Sequence, residues 1–252
     1  MKKKALITGA SAGIGAATAE KLAAAGYDLL LLARRKDRLE SLRHKLEKQY
    51  QIQVITIECD ISKSESIQGV AENFKSHFEG LNLLVNNAGL AKFSDKIQDG
   101  NPEHWDQMWD VNVRGLLRLT RVILPYFIAK NEGHIINIGS VAGRWVYPGG
   151  AVYCASKFAV RALSEGLRLD LFAKNIRVTN IEPGMVETEF SKVRFEDEEK
   201  AQAVYAGTKA LTAEDIAETI VWVSERPAHV NIQELVIYPT AQASVRDVFR
   251  HG

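Results

Sequence analysis

KALITGASAGIGAATAEKLAAAG, residues 4–26, predicts a buried strand, a glycine-rich turn and a helix. The apolar run 4–8 is the predicted strand, and the helix extends over about residues 13–25, where Gly26 ends it. Glycines permit positive φ angles and let a ligand approach the backbone closely. The start of the helix directs unpaired N–H groups and the positive end of its dipole at such a ligand. A pyrophosphate therefore fits this turn.

The glycine spacing in the turn is Gly9-x-x-x-Gly13-x-Gly15. The general dinucleotide fingerprint is Gly-x-Gly-x-x-Gly, so the spacing alone is a weak signal, which the position directly after the first strand strengthens. The residues around Ser11 also match Gly-x-Ser-x-Gly, the nucleophile turn of α/β-hydrolases. That turn needs an oxyanion loop from an earlier strand, and we expect none within residues 1–3. A serine hydrolase is therefore the weaker alternative.

The rest of the chain alternates short apolar runs with longer amphipathic segments. Further strands are predicted at residues 28–33, 53–58, 81–85, 133–138, 176–181 and 234–237, and helices at residues 37–50, 65–78, 103–130, 152–174 and 213–224. Apolar strands that alternate with helices indicate a parallel sheet covered on both faces, which right-handed crossovers make doubly wound. We therefore predict an α/β fold: a single Rossmann-like domain over residues 1–252, with about seven strands and helices on both faces.

The region between the last two predicted strands carries two local signals. Thr212, with Asp215 three residues later, predicts the cap of the helix at 213–224. The charged run at residues 194–200 predicts a solvated loop or helix face, or else part of a lid. We place this substrate loop or lid around residues 186–210.

Composition excludes several classes of function. The 252 residues include 32 Lys and Arg against 31 Asp and Glu, a formal charge of +1, whereas a general nucleic-acid binder has a basic surface. The apolar run after Lys2–Lys4 ends at Thr8, too early for a signal peptide, and no run approaches the roughly 18 apolar residues of a membrane span. Cys59 and Cys154 form no disulfide framework or zinc ribbon, and the six histidines lack metal-ligand spacing. We expect a cytoplasmic protein that binds no nucleic acid, membrane or metal.

The end of the second predicted strand distinguishes between two cofactors. In the dinucleotide-binding pattern an acidic residue about 20 positions after the glycines binds the adenosine ribose hydroxyls. Here Ala33 occupies that place, and Arg34 and Arg35 follow it. A guanidinium binds a 2′-phosphate through charge-assisted hydrogen bonds, whereas a carboxylate repels it. The sequence therefore predicts NADP rather than NAD, unless the two arginines only begin a solvated helix.

Tyr153 and Lys157 lie four residues apart near the start of a predicted helix, so they share one face of it. A free phenol ionises near about pH 10, and a nearby ammonium lowers that pKa, so the pair is a candidate acid/base. Ser140 follows the predicted strand 133–138 at the carboxyl edge, where doubly wound sheets bind ligands. Its hydroxyl is placed to bind a substrate carbonyl or alcohol oxygen.

Taken together, these motifs resemble the short-chain dehydrogenase/reductase family over nearly the whole chain. They stand in the family's order and approximate spacing: Thr8-Gly9-x-x-x-Gly13-x-Gly15, Asn86-Asn87-Ala88-Gly89, Asn112, Ser140, Tyr153-x-x-x-Lys157 and Pro183-Gly184. A closer likeness, to the NADP-dependent 3-hydroxy acid dehydrogenases that act on serine and allo-threonine, is carried by residues 133–140, 181–184, 189–195 and 227–232.

The resemblance implies a role for each catalytic candidate. Tyr153 is expected to donate and accept the proton, and Ser140 to orient the substrate oxygen. Lys157 is expected to bind the nicotinamide ribose and to lower the pKa of Tyr153. Asn112, in the long helix, is expected to hold a water of a proton relay that ends at Lys157. The implied contacts with NADP are Gly9, Ser11, Gly13, Ile14, Gly15, Arg34, Arg35, Asp60, Ile61, Asn87, Ala88, Gly89, Tyr153, Lys157, Pro183, Gly184, Val186 and Thr188.

The resemblance also implies a homotetramer built partly through the long helices. The substrate pocket is expected over the nicotinamide, between residues 140–151 and the segment after Pro183. A buried carboxylate needs a charged partner. Arg194 is the first candidate for that partner and Arg144 the second.

The predicted reaction is hydride transfer between NADP(H) and a small, serine-like 3-hydroxy acid, or a related secondary alcohol or carbonyl compound. The alternative within the same chemistry is a carbonyl or 3-oxoacyl reductase of broad specificity. A protein that senses NADP without turnover is less favoured, because the chain keeps Ser140, Tyr153, Lys157 and Asn112 and a sensor does not need an acid/base.

Overall fold

The computed structural model describes residues 2–251, which form a seven-stranded parallel sheet. The strands are β1 Lys4–Thr8, β2 Asp28–Ala33, β3 Val54–Glu58, β4 Leu83–Asn86, β5 Gly133–Ile138, β6 Ile176–Pro183 and β7 Glu234–Ile237. Their order across the sheet is β3-β2-β1-β4-β5-β6-β7, and the neighbours pair in parallel. The predicted Rossmann-like doubly wound sheet is thus confirmed. The winding direction reverses between β1 and β4, where sheets of this kind bind ligands beyond the carboxyl ends of the strands.

Helices cover both faces of this sheet. They are α1 Gly13–Ala24, α2 Lys36–Gln49, α3 Ser64–Asn73, α4 Pro102–Trp109, α5 Leu116–Lys130, α6 Ala151–Asp170, α7 Phe190–Phe195, α8 Glu198–Ala203 and α9 Ala213–Ser224. One apolar layer joins the sheet to α1, α2 and α9, and the other joins it to α3 and α5.

The continuous apolar character of the strands follows from this burial on both sides. Successive side chains of a strand point to opposite faces, and in β1 both Leu6 and Ile7 are fully buried. Ile7 belongs to the layer that includes α1 and α9, whereas Leu6 belongs to the layer that includes Phe127 of α5. At the start of β5, a Cβ on Gly133 would lie 2.5 Å from the Phe127 ring, so this residue type allows α5 to pack closely on the sheet.

The prediction of one continuous helix over residues 103–130 is wrong in one respect, because the α-helix is interrupted. A π-helical segment, Asp110–Gly115, separates α4 from α5. Such segments are rare and are frequently found at functional sites. Here the segment buries Asn112 and brings the chain so close to the loop after β3 that a Cβ on Gly115 would lie 2.5 Å from the Ile61 carbonyl oxygen. A hydrophobic period of 3.6 does not reveal such a local change of winding.

Several predicted boundaries also shift. The helix predicted at residues 152–174 ends at Asp170, and the strand predicted at 176–181 continues to Pro183. The charged run 194–200 includes the end of α7 and the start of α8. The predicted cap of α9 is confirmed: Thr212 Oγ1 accepts a hydrogen bond from Asp215 N at 3.2 Å, and Asp215 accepts one from Thr212 N at 2.8 Å.

Cys59 and Cys154 are both buried, without a disulfide. Burial raises the pKa of both thiols, which favours their protonated forms. Within residues 2–251, no group of three or more His, Cys, Asp and Glu side chains is arranged to hold a metal ion. In the same part of the chain, every helix is too short or too polar to cross a membrane.

Candidate active site

A cavity of about 330 Å³ lies beyond the carboxyl ends of the strands, around the switch point between β1 and β4. Most residues predicted to bind cofactor or substrate line it: Gly9, Ser11, Gly13, Ile14, Arg34, Arg35, Asp60, Ile61, Asn87, Ala88, Gly89, Ser140, Tyr153, Lys157, Pro183, Gly184, Val186 and Thr188. The fold therefore brings together positions that are up to 179 residues apart in the sequence, from Gly9 to Thr188. Of the predicted site residues, Gly15, Asn112, Arg144 and Arg194 are not part of this lining.

The glycine-rich turn has the shape expected of a phosphate cradle. Gly9 and Gly13 have φ angles of +65° and +52°, a region that favours glycine. A Cβ on Gly15 would collide with the Gly9 carbonyl oxygen, so this residue keeps the turn closed although it does not line the cavity. The residue that precedes α1, Ala12, offers no side-chain cap to the first N–H groups of the helix. These donors and the adjacent arginines fit the phosphates of a dinucleotide.

Thr8 joins the ends of β1 and β4 next to this turn. Its Oγ1 accepts hydrogen bonds from the backbone N–H groups of Asn87 at 3.0 Å and Ala88 at 2.9 Å. In return, Asn87 Nδ2 donates to the Thr8 carbonyl oxygen at 2.9 Å. Because Asn87 and Ala88 both line the cavity, these bonds fix the position of the cavity wall at the switch point.

Arg34 and Arg35, the residues predicted to bind a 2′-phosphate, line one end of the cavity. Arg35 Nε donates to Ser11 Oγ of the glycine-rich turn at 3.2 Å, and Arg35 Nη1 lies 2.9 Å from Glu189 Oε2. Arg38, one helical turn later, contacts the other carboxylate oxygen, Glu189 Oε1, at 2.8 Å. Neither Arg38 nor Glu189 is among the residues that the sequence predicts for the site. The three-residue spacing of Arg35 and Arg38 was a usable signal, whereas the position of Glu189 was not visible in the sequence.

Ser140, Tyr153 and Lys157 meet at the other end of the cavity. Tyr153 and Lys157 lie in the first two turns of α6, and Lys157 Nζ is 5.9 Å from the centroid of the Tyr153 ring. Lys157 is buried and donates to the carbonyl oxygen of Ile138, the last residue of β5, at 2.9 Å. Ser140 follows β5, and its Oγ accepts a hydrogen bond from Ala142 N at 3.1 Å. The end of β5 and the start of α6 therefore hold the three side chains in a fixed arrangement.

The pKa values at this end of the cavity depart from those of free side chains. Burial disfavours the ammonium of Lys157 and lowers its pKa to about 8. Burial also raises the pKa of Tyr153 well above its usual value, and the hydrogen bond from Ser140 and the charge of Arg194 offset only part of that rise. The net direction is therefore opposite to the lowered pKa predicted from the neighbouring lysine, because the cost of burying a phenolate exceeds the stabilisation by Ser140 and Arg194. The phenol of Tyr153 is therefore protonated at neutral pH.

Asn112 lies behind the cavity, where its side-chain amide makes three hydrogen bonds. Its Oδ1 accepts from Leu90 N at 2.8 Å, and its Nδ2 donates to the Leu90 carbonyl oxygen at 2.9 Å and to Ser156 Oγ at 3.0 Å. A Cβ on Gly89 would lie 3.3 Å from Asn112 Oδ1 and 3.5 Å from Lys157 Nζ. Asn112 thus holds the loop after β4 against α6, next to Lys157.

Arg194 lies near Tyr153 without lining the main cavity. It donates from Nε to the Phe93 carbonyl oxygen at 3.3 Å and from Nη2 to Ser94 Oγ at 3.0 Å. Its charge lowers the pKa of Tyr153 against the larger effect of burial. Phe190, at the start of the same helix, α7, lines the cavity with its ring centroid 6.0 Å from that of Tyr153. Helix α7 therefore brings both a cation and an aromatic ring to the end of the cavity that holds Tyr153.

Arg144, the second candidate for a substrate carboxylate, is placed elsewhere. Its guanidinium pairs with Glu182 and with Glu234, and Arg161 lies 3.0 Å from Glu234. The side chain of Glu182 is completely buried, and a buried carboxylate requires a charged partner. The structure thus corrects the prediction for Arg144, because its charge is required by Glu182.

The Arg144→Met variant is expected to unfold at lower urea concentration, with a loss of about 3 kcal/mol at pH 8, because it leaves Glu182 buried without its closest cation. Burial already raises the pKa of Glu182. Without Arg144 that pKa rises further, so the loss of stability is full above the folded-state pKa and shrinks as the pH falls through it.

The measurement is urea unfolding of the wild type and of Arg144→Met at several pH values between 5 and 8. In the double variant Arg144→Met/Glu182→Gln, where no carboxylate is left unpaired, the expected loss is smaller. An Arg144→Met variant that is as stable as the wild type at pH 8 would contradict the assigned pairing.

Residues 3–199 match the family described as short chain dehydrogenase. The chain is similar to an NADP-dependent 3-hydroxy acid dehydrogenase of Schizosaccharomyces pombe, with 42% identity over 250 residues that cover 98% of this chain and 96% of the relative. It is also similar to a sulfoacetaldehyde reductase of Chromohalobacter salexigens, with 42% identity over 239 residues that cover 94% of each chain.

Among solved structures, the closed form of a serine dehydrogenase complexed with NADP+ is similar over 98% of this chain and 100% of that chain. The two share 40% sequence identity, and their superposition has a TM-score of 0.91. The similarity therefore extends over both ends of the cavity.

Proposed function

The chain belongs to the short-chain dehydrogenase family, and we propose that it transfers a hydride between NADP(H) and a small 3-hydroxy acid or the corresponding carbonyl compound. The observation that carries this proposal is the composition of a single cavity. One end has the glycine-rich turn with Arg34 and Arg35, and the other has Ser140, Tyr153 and Lys157. The names of the relatives, an NADP-dependent 3-hydroxy acid dehydrogenase and a serine dehydrogenase complexed with NADP+, support both the cofactor and the substrate class.

We propose that the phosphates of the dinucleotide lie at the glycine-rich turn and that its 2′-phosphate lies at Arg34 and Arg35. Asp60 and Ile61, beyond β3, are placed for the adenine, and Asn87, Ala88 and Gly89 for its ribose. Pro183, Gly184, Val186 and Thr188 are placed for the nicotinamide, together with Tyr153 and Lys157. When bound, NADP(H) supplies or accepts the hydride.

The proton is assigned to Tyr153. Because burial raises its pKa, the phenol is protonated at neutral pH and donates to the carbonyl oxygen of a substrate that is being reduced. The Ser140 hydroxyl orients the same oxygen. Lys157, whose pKa lies at about 8, exchanges a proton readily near neutral pH and is placed to resupply the phenol. Asn112 positions the loop beside Lys157, and the water of the expected relay remains part of the proposal.

Arg194 is the proposed partner of the substrate carboxylate. It lies beside Tyr153 and has five N–H donors, of which Phe93 and Ser94 accept two. A sulfonate is also a singly charged oxyanion, and a relative that is 42% identical is named sulfoacetaldehyde reductase. A short aldehyde that carries a sulfonate is therefore the second candidate substrate.

The test of the proposed function is a steady-state assay that follows NADPH absorbance. The panel includes serine and allo-threonine with NADP+, and sulfoacetaldehyde, a neutral aldehyde of similar size and a 3-oxoacyl thioester with NADPH, each repeated with NAD(H). We expect the highest kcat/KM for a hydroxy acid with NADP+. Turnover restricted to NAD(H), or no turnover with any compound that carries an acid group, would contradict the proposal.

The rate is expected to depend on pH in opposite ways in the two directions. Lys157 is protonated below its pKa of about 8, so kcat/KM for reduction falls as the pH rises through that value. In the direction of oxidation Tyr153 must pass its proton to the neutral amine of Lys157, which forms as the pH rises through the same value, so kcat/KM rises over the same interval. The measurement is a pair of profiles from pH 6 to pH 10, and flat profiles in both directions would contradict the assigned proton path.

We further propose that residues 1–252 act as one domain with a lid over the substrate at residues 186–210. The support is that α7 and the two residues that flank it are held at two places. Glu189 contacts Arg35 at the cofactor end. At the catalytic end Glu196 pairs with Lys92, and Phe93 N donates to the Arg194 carbonyl oxygen at 2.8 Å.

A homotetramer is proposed as the assembly. Apolar side chains are exposed on the two long helices: Ile128 on α5, and Phe158 and Leu169 on α6, with Phe172 directly after it. Burial against another copy removes this surface from water, and sedimentation velocity measures the assembly. The cytoplasm is the proposed compartment, which the two unpaired cysteines support.

A further inference from the structure

The carboxylate of Glu189 lies between two guanidinium groups at the cofactor end of the cavity. Its Oε2 is 2.9 Å from Arg35 Nη1, and its Oε1 is 2.8 Å from Arg38 Nη1. These ion pairs hold the pKa of Glu189 below its usual range, so it carries its charge at neutral pH. Glu189 is the residue directly before α7, whereas the two arginines lie at the start of α2.

The same guanidinium of Arg35 is the proposed partner of the 2′-phosphate. It is fastened to the glycine-rich turn through Ser11 Oγ at 3.2 Å, and both Arg35 and Glu189 line the cavity. A carboxylate and a phosphate bind the same face of a guanidinium through the same charge-assisted hydrogen bonds. An incoming phosphate therefore meets a donor group that already has an anionic partner.

We propose that Glu189 competes with the 2′-phosphate of a nucleotide for Arg35 and so weakens the binding of 2′-phosphorylated nucleotides. The inference rests on the proposed function, since it requires that this end of the cavity takes a 2′-phosphate. In this proposal Glu189 determines how strongly the site prefers a 2′-phosphorylated ribose to an unphosphorylated one.

The sign of this effect follows from two features of the cluster. A phosphate bound at Arg35 brings a second anion close to Glu189, and like charges repel. Arg35 does not depend on Glu189 for its position, because Ser11 holds its Nε independently. Removal of the carboxylate therefore leaves Arg35 beside the turn and frees its Nη1. The side chains are about two-fifths exposed, so water and salt screen the repulsion and the effect is several-fold rather than many orders of magnitude.

The experiment measures the affinity of two nicotinamide-free probes, 2′,5′-ADP and 5′-AMP, by isothermal titration calorimetry of the intact protein at low salt. For Glu189→Gln we expect 2′,5′-ADP to bind about three- to tenfold more tightly than it binds the wild type, with the gain reduced at high salt. The affinity for 5′-AMP is expected to change less than twofold. Glu187→Gln is the matched control, because this exposed residue two positions away carries the same charge, and it leaves both affinities unchanged.

Unchanged or weaker binding of 2′,5′-ADP by Glu189→Gln overturns the inference. Unchanged binding would mean that Glu189 does not affect the phosphate, and weaker binding would mean that it holds the arginines in place for it. An equal gain for both variants also overturns it, because net charge would then explain the effect. Failure of the proposed function gives a different result: wild-type protein that binds 5′-AMP as tightly as 2′,5′-ADP has no 2′-phosphate site, and the inference then falls together with the NADP assignment.

Discussion

The Tyr153→Phe variant is expected to reduce its carbonyl substrate about 10³-fold more slowly than the wild type, because a positioned general acid contributes about 10²- to 10⁴-fold to a rate. The substitution removes only the hydroxyl. The aromatic ring, which packs with its centroid 6.0 Å from that of Phe190, remains. Ser140 still orients the substrate oxygen, but the proton must then come from water. The loss is expected in kcat under saturating substrate and NADPH.

Binding and stability are the controls for this variant. The affinity for NADPH is expected to change less than about threefold, since Tyr153 contributes one hydrogen bond among the many contacts along the cavity. Tyr27→Phe is the matched substitution, because it removes the hydroxyl of a buried tyrosine that lies 3.5 Å from Ser224 Oγ, outside the cavity. It is expected to keep full activity. Retained turnover by Tyr153→Phe would show that another group supplies the proton.

The parts of this site that the sequence predicts are those set by short-range patterns. The turn between β1 and α1 depends on glycines within seven consecutive residues, Gly9 to Gly15. Tyr153 and Lys157 come together because four residues span about one helical turn. The order of strands and helices follows from apolar periodicity, so the edge of the sheet at which the motifs meet was also predictable.

The parts that the sequence does not predict depend on distant neighbours or on burial. Glu189 and Arg35 are 154 positions apart, and no local pattern pairs them. Glu182 occupies a position of β6 like any other strand residue, and only its complete burial explains why Arg144 turns towards it. The pKa of Tyr153 was predicted from the nearby lysine alone, whereas burial decides its direction.

The Arg194→Met variant is expected to lower kcat/KM for an anionic substrate about 10²-fold, because a charge-assisted hydrogen bond that is lost from a desolvated carboxylate costs about 1.5–3 kcal/mol. Arg194 is fastened to the backbone of Phe93 and to Ser94, so its charge is presented in a defined position beside Tyr153. For a neutral aldehyde of the same size the expected loss is less than about threefold, since such a substrate makes no ion pair. Arg194→Lys, which keeps the charge but not the planar fork, is expected to recover part of the activity.

The comparison between the two substrates separates a substrate contact from a structural role. Arg194 also ties α7 to residues 93 and 94, and its loss loosens the lid for every substrate. A loosened lid lowers kcat/KM equally for the anionic and the neutral compound, and that result would remove the carboxylate clamp from the proposal. Arg144→Met is the matched arginine control. It is less stable than the wild type, but under conditions in which it stays folded it keeps the wild-type ratio of kcat/KM between the anionic and the neutral substrate. A ratio that changes only in Arg194→Met therefore assigns the substrate anion to this residue.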